Sequence, residues 1–130
     1  MSFEHYLYAL AAIRILIGLA PMVAIGPLSR LLGFPEAHNT PTSRLMARFF
    51  GVRDMGLGVL AIAALHGQAS VLFVCLFNLG HDLFDTVWIL TPLVRRQGID
   101  RAAWSSLAFA LGGAACWAFA AFWGLGPLWL

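Results

Sequence analysis

The chain has 130 residues, of which 61% are hydrophobic and 11% charged, with a net charge of +2. A soluble domain carries about 25% charged residues, so this composition excludes an ordinary soluble domain. The small charge, with no basic face interleaved with aromatics, also excludes a nucleic-acid surface.

The mean hydropathy of +0.83 is that of a polytopic membrane protein. The length allows about four spanning helices of roughly 20 residues, with short loops and no separate soluble domain. The first span is expected over residues 6–24. Pro21 lies near its end, and Gly26-Pro27 closes it. Its start lacks a basic n-region and carries Arg14 within the apolar run, so no cleavable signal peptide is expected. Residues 29–43 include Pro35, Glu36, His38, Asn39 and Pro41 and read as a loop, with one short interfacial turn around Leu31 and Leu32. Thr42 or Ser43 is the expected N-cap of a second span over 44–65, with Gly67 capping its far end. A third span is expected over 69–90, ended by Thr91-Pro92. A polar loop with Arg95, Arg96, Gly98 and Asp100 leads to a fourth span over 102–122, then an aromatic tail with Trp123 and Trp129.

All eight basic residues are arginines. Arg30 and Arg44 flank the first long loop, and Arg95, Arg96 and Arg101 the last. The termini and the 66–68 turn have none. By the positive-inside rule, four crossings would put both Arg-bearing loops in the cytoplasm and both termini outside. The expected fold is therefore an all-α, single-domain, four-helix membrane bundle, N-out and C-out.

The third span carries Asn78, His81, Asp82 and Asp85 at i, i+3, i+4 and i+7. These positions share about 100° of helix arc. Ionisable groups inside a span are costly and usually face a bundle interior, where they mark functional sites. Arg14 on the first span and Arg53 and Asp54 on the second fall at similar depth, and Arg48 can join from the cytoplasmic side. Three carboxylates then face two or three arginines. Burial demands near balance of charge, so at least one carboxylate is expected to be protonated. A neutral acid in an apolar pocket can donate its proton, and His81 beside Asp82 could orient or relay it. The alternative is that the Arg–Asp pairs only lock helices in register.

Small residues indicate close packing: Ala47, Gly51, Asp54, Gly58 and Ala61 on the second span, and Ala108, Gly112, Cys116 and Ala120 on the fourth. Cys75 and Cys116 read as small core residues rather than a disulfide, and no cysteine–histidine cluster suggests a metal. Only His81 is deep, which leaves a bis-histidine haem without its ligands. His66 reads as a solvated turn residue.

The segment RLMARFFGVRDMGLGVLAIAAL, residues 44–65, resembles a family of small four-helix bacterial membrane proteins of unknown function within the broad DoxX-like group. The likeness rests on Arg48, Gly51-Val52-Arg53-Asp54, Gly56 and Gly58. Arg14, Gly18, Pro27 and Leu32-Gly33-Phe34-Pro35 extend it toward the start, and Asp82 and Asp85 toward the third helix. The resemblance implies a four-helix bundle in the inner membrane. It implies no settled activity, because that group mixes redox-partner subunits with uncharacterised proteins.

The leading expectation is an in-bundle acid–base site for a lipophilic small molecule. Asp82 or Asp85 would donate the proton, with His81 as partner and Asn78 bonding a substrate oxygen. Arg14, Arg48, Arg53 and Asp54 would complete the site. Cyclisation, isomerisation or epoxide opening would suit it and need no cofactor. Two alternatives stand beside it. One is a non-catalytic accessory subunit of a membrane oxidoreductase or transporter. The other is a dimeric proton-coupled transporter, though no inverted repeat is visible.

Overall fold

The computed structural model describes residues 1–126, so Trp129 lies outside the described residues. The described chain is all-α, with five α-helices: α1 (Phe3–Val23), α2 (Ile25–Leu32), α3 (Pro41–Leu65), α4 (Val71–Val94) and α5 (Asp100–Leu125), and a 3-10 turn at Glu36–His38.

Three of these helices, α1, α4 and α5, are long and apolar enough to cross a membrane. They mark a membrane protein. The expected bundle of four spanning helices is corrected here. Helix α3 is as long as its neighbours, but Arg44, Arg48, Arg53 and Asp54 make it too charged to count as an apolar span. A fifth helix, α2, occupies what had read as loop. The N-out, C-out arrangement depended on four crossings and falls with them.

Local chemistry explains the helix boundaries. Pro27 does not prevent α2, because it sits in the first turn, where its missing N–H has no intrahelical partner to lose. Helix α3 begins earlier than expected. Thr40 is its N-cap, Pro41 fills the first position, and Thr40 and Ser43 bond reciprocally: Ser43 N–H donates to Thr40 Oγ1 at 3.2 Å and Thr40 N–H to Ser43 Oγ at 3.0 Å. Helix α4 runs on past Pro92 to Val94. So near the end, proline removes one bond without stopping the last turn.

Three helices close with the same paired backbone bonds. At the end of α3, Gln68 N–H donates to Ala63 O and Gly67 N–H to Ala64 O, with Gly67 at φ 75. At α2, Phe34 donates to Ser29 O and Gly33 to Arg30 O, with Gly33 at φ 87. At α4, Gln97 donates to Pro92 O and Arg96 to Leu93 O, and the left-handed position is Arg96 at φ 50. This is the Schellman motif, usually built on glycine.

Helix α1 packs along α3, and α4 along α5, while α3 and α4 meet over a shorter stretch. Glycines set the first contact. A Cβ on Gly18 would strike the Gly51 carbonyl and Met55, and one on Gly51 would strike the Gly18 carbonyl and Pro21. One on Gly58 would lie 2.8 Å from the Ala11 carbonyl. The stripe Gly51, Asp54, Gly58 and Ala61 is buried against α1, and Ala47 is only half-buried. On α5 the expected stripe is wrong: Ala108, Gly112 and Cys116 are exposed, and of its members only Ala120 is buried. The buried face instead carries Ala103, Leu107, Ala110, Ala114, Trp117 and Ala121. Helix α5 has small residues on several sides, and the face that holds the large Trp117 is the one that turns inward.

The core gathers Leu7, Ala11, Ala61, Ala64, Val74, Cys75, Trp117, Ala120 and Ala121. Large apolar side chains such as Ile13, Leu16, Val52, Phe84, Trp88, Phe109 and Phe122 point outward. An outward apolar surface of this extent suits lipid. Trp123 packs on Phe3, Tyr6 and Phe119 rather than standing alone as an anchor.

Candidate functional site

The deep charged residues sit near the middles of their helices. Arg14 is the twelfth of 21 residues in α1, and Asp82 the twelfth of 24 in α4. Asp54 is the fourteenth of 25 in α3, and Gly113 the fourteenth of 26 in α5. Helix α5 brings no charge to this level.

Here the side chains form one ionic chain across α1, α3 and α4, in the order Asp82, Arg14, Asp54, Arg53, Asp85. Arg14 grips Asp82 with both terminal nitrogens: Nη1 donates to Oδ2 at 3.0 Å and Nη2 to Oδ1 at 2.7 Å. The Nε of Arg14 lies 3.0 Å from Asp54 Oδ1, close enough for ion pairing but without hydrogen-bond alignment. Arg53 repeats the grip on Asp85, with Nη1 at 2.9 Å from Oδ1 and Nη2 at 2.6 Å from Oδ2. Its Nη2 is 3.7 Å from Asp54 Oδ2. Parallel guanidinium–carboxylate bonds of this kind are the most directional ion pairs available to side chains.

The two ends of the chain differ. Arg14, Asp54 and Asp82 are 6%, 3% and 6% exposed. The side chains of Arg53 and Asp85 are 33% and 22% exposed, so this pair opens at the seam between α3 and α4. Helix α5 seals the buried end. Asp82 lies directly against Gly113, where any Cβ would meet its carboxylate. The Trp117 ring, one turn further along, lies 5.9 Å from the Arg14 guanidinium carbon. At the open end the Phe50 ring takes the same position under Arg53, at 4.6 Å. Aromatic faces stabilise guanidinium where water cannot.

The remaining expected site residues stay outside this chain. Asn78 is fully buried one turn from Asp82. Its amide donates to Val74 O at 3.0 Å, and its Oδ1 has no partner. His81 does not partner Asp82: its Nδ1 lies 3.3 Å from Phe77 O, and its ring packs on Phe77 at 4.7 Å. Consecutive helix positions point about 100° apart, so adjacency in sequence separates these two side chains. Arg48 is exposed on α3 and makes no ion pair or side-chain hydrogen bond among the described residues. His66 bonds the Tyr8 hydroxyl at 3.3 Å. Both cysteines are free, with Cys75 buried and Cys116 exposed.

Gly113 and Trp117 are the members that sequence reasoning missed. Neither is charged, and the deep charges of other helices gave no register for α5. Nor does the size of Trp117 single it out, because Trp104, Phe109, Phe119 and Phe122 on the same helix are also large and face outward.

Among the described residues, no group of three histidines, cysteines or carboxylates is placed to hold a metal. The guanidiniums stand between the carboxylates. Two surface recesses, of about 100 Å³ beside Ser29, Arg30 and Asn39 and about 240 Å³ beside Val87, Thr91 and Arg95, contain no member of the ionic chain. No family model, curated protein or solved structure matches the chain.

Proposed function

We propose that this is a multi-pass inner-membrane protein that binds a lipophilic small molecule through an oxygen-bearing head at the α3–α4 seam, and that it acts on this molecule by acid–base chemistry without a cofactor. One observation carries the reading: the Arg53–Asp85 pair is half-exposed at mid-helix while the rest of the ionic chain is sealed. Phe49, Val52, Phe84 and Trp88, near this pair in sequence, are exposed and apolar. A molecule arriving sideways from lipid would meet an apolar surface with one guanidinium and one carboxylate in it, the pattern of a ligand site.

The geometry favours Asp85 over Asp82 as the working group. Both carboxylates are held at both oxygens by an arginine, but Asp82 is buried and walled by Gly113. Asp85 is reachable. Arg53 donates to both of its oxygens, which orients the carboxylate beside a guanidinium at the seam, where it can serve as a base. Of cyclisation, isomerisation and epoxide opening, isomerisation by proton abstraction and return suits a base beside a guanidinium that can hold a developing oxyanion. Kinship with DoxX-like membrane proteins belongs to this proposal and rests chiefly on the residues of α3, with Arg14, Gly18, Pro27, residues 32–35, Asp82 and Asp85 beside them.

A second reading draws on Arg48, an exposed charge on α3 among exposed Leu45, Met46, Phe49 and Val52. A charge facing hydrocarbon is costly, and a partner helix covering this face would relieve it. The protein would then be an accessory subunit of a larger membrane complex, or a homo-oligomer.

Native mass spectrometry of the protein, extracted gently from its own membrane, tests both. The expected result is a small-molecule adduct on the wild-type protein and on Arg95→Gln, lost in Arg53→Gln. A ligand-free wild-type protein overturns the binding site, and a stoichiometric protein partner in its place supports the accessory subunit. If the ligand is present but Asp85→Asn leaves the cellular lipid and metabolite profile unchanged, the site binds without catalysis.

A further inference from the structure

Three carboxylates and two guanidiniums make up the ionic chain, which leaves one negative charge in excess. Asp54 faces Arg14 from α1, Arg53 from its own helix, and Asp82 and Asp85 from α4, while α5 presents only Gly113 and Trp117 at this level. The outer carboxylates are fully engaged. Each oxygen of Asp82 and of Asp85 accepts a guanidinium hydrogen bond. Asp54 is different. It is 3% exposed, and its Oδ2 is buried with no hydrogen-bond partner. Its nearest cation is Arg53 Nη2 at 3.7 Å, too far for a hydrogen bond. A buried carboxylate oxygen left without a donor is costly, and such a group is expected to take up a proton instead.

We propose that the chain contains a proton-binding site, with one proton held on Asp54 Oδ2 while Asp82 and Asp85 remain ionised. Two carboxylates then balance two guanidiniums, and Asp54 is a neutral acid between them. Loss of this proton leaves an uncompensated charge at the α1–α3 contact, so its release loosens the two helices. The site is a property of the protein itself and does not depend on a ligand at the seam.

Infrared spectroscopy of the full-length protein in lipid at neutral pH tests this. A protonated carboxyl gives a carbonyl stretch distinct from that of a carboxylate, and exchange into D2O shifts it. Glu4, Glu36 and Asp100 are exposed and lie outside the ionic chain, so Asp100→Asn is the control. The expected result is one such band, abolished in Asp54→Asn and retained in Asp100→Asn. Should Asp54→Asn not fold, Asp54→Glu carries the test: the band moves if position 54 holds the proton and stays fixed if another carboxyl does. A wild-type protein without the band, or a band unchanged by substitution at Asp54, overturns the proposal.

Discussion

Arg14 and Asp82 close a two-bonded ion pair between α1 and α4 at 2.7 and 3.0 Å, with α5 covering it through Gly113 and Trp117. Four helices therefore depend on one guanidinium. Removing one partner of a buried pair strands the other and costs about 3–5 kcal/mol. Arg14→Met strands Asp82 and weakens the hold on Asp54. It is expected to lower stability by an amount of that order, seen as a fall in the melting temperature in detergent. Arg53→Met is expected to cost less, because Asp85 is partly open. Replacing both members, Arg14→Met with Asp82→Leu, should recover most of the loss. A double variant no more stable than Arg14→Met would mean that the pair does more than neutralise charge.

The α1–α3 contact makes a second prediction. A Cβ at Gly51 meets the Gly18 carbonyl, and backbone cannot move aside as a side chain can. Gly51→Ala is expected to push the helices apart and destabilise by roughly 1–3 kcal/mol. Gly56 on the same helix faces open space. There Gly56→Ala should be neutral or stabilising by up to about 1 kcal/mol, from helix propensity. Thermal unfolding of the two variants side by side checks the sign. Equal effects would show that the close approach is not what Gly51 serves.

The sequence pattern carried the polar face of α4 and the small face of α3 to their observed positions, because both follow from the helical period alone. It did not carry the partners. Periodicity says that Asp82 and Asp85 share a face, but not that one goes to Arg14 on α1 and the other to Arg53 on α3. His81 illustrates the limit: next to Asp82 in sequence, it turns to Phe77 instead. Helix α2 was hidden by Gly26-Pro27, residues that break a helix interior but are tolerated in a first turn. The structure has fewer apolar spans than the hydropathy of the chain implies, because Arg48, Arg53 and Asp54 leave α3 too charged to be one.

Gly113 gives a third prediction. Its missing side chain makes room for the Asp82 carboxylate. Gly113→Ala should push Asp82 away from Arg14 and destabilise the protein. The same change in an Asp82→Ala background should do much less, because the side chain it displaces is gone. A double-mutant cycle on melting temperature reads this coupling. Additive effects would mean that Gly113 is small for α4–α5 packing in general and not for Asp82.

Arg96 supplies the last prediction. It occupies the left-handed position that closes α4, at φ 50, where Gly33 and Gly67 do the same for α2 and α3 at φ 87 and 75. An L-residue in this conformation is strained by roughly 1–2 kcal/mol, and glycine is not. Arg96 is exposed and has no ion pair or side-chain hydrogen bond among the described residues that would offset the strain. Arg96→Gly should therefore stabilise the folded protein by about 1 kcal/mol, less what glycine adds to the freedom of the unfolded chain. Arg96→Ala removes the same charge but keeps the Cβ. If the gain belongs to the backbone, only the glycine variant shows it. If both variants melt higher, relief of repulsion from Arg95 is the cause instead, and the Schellman closure carries no strain worth removing.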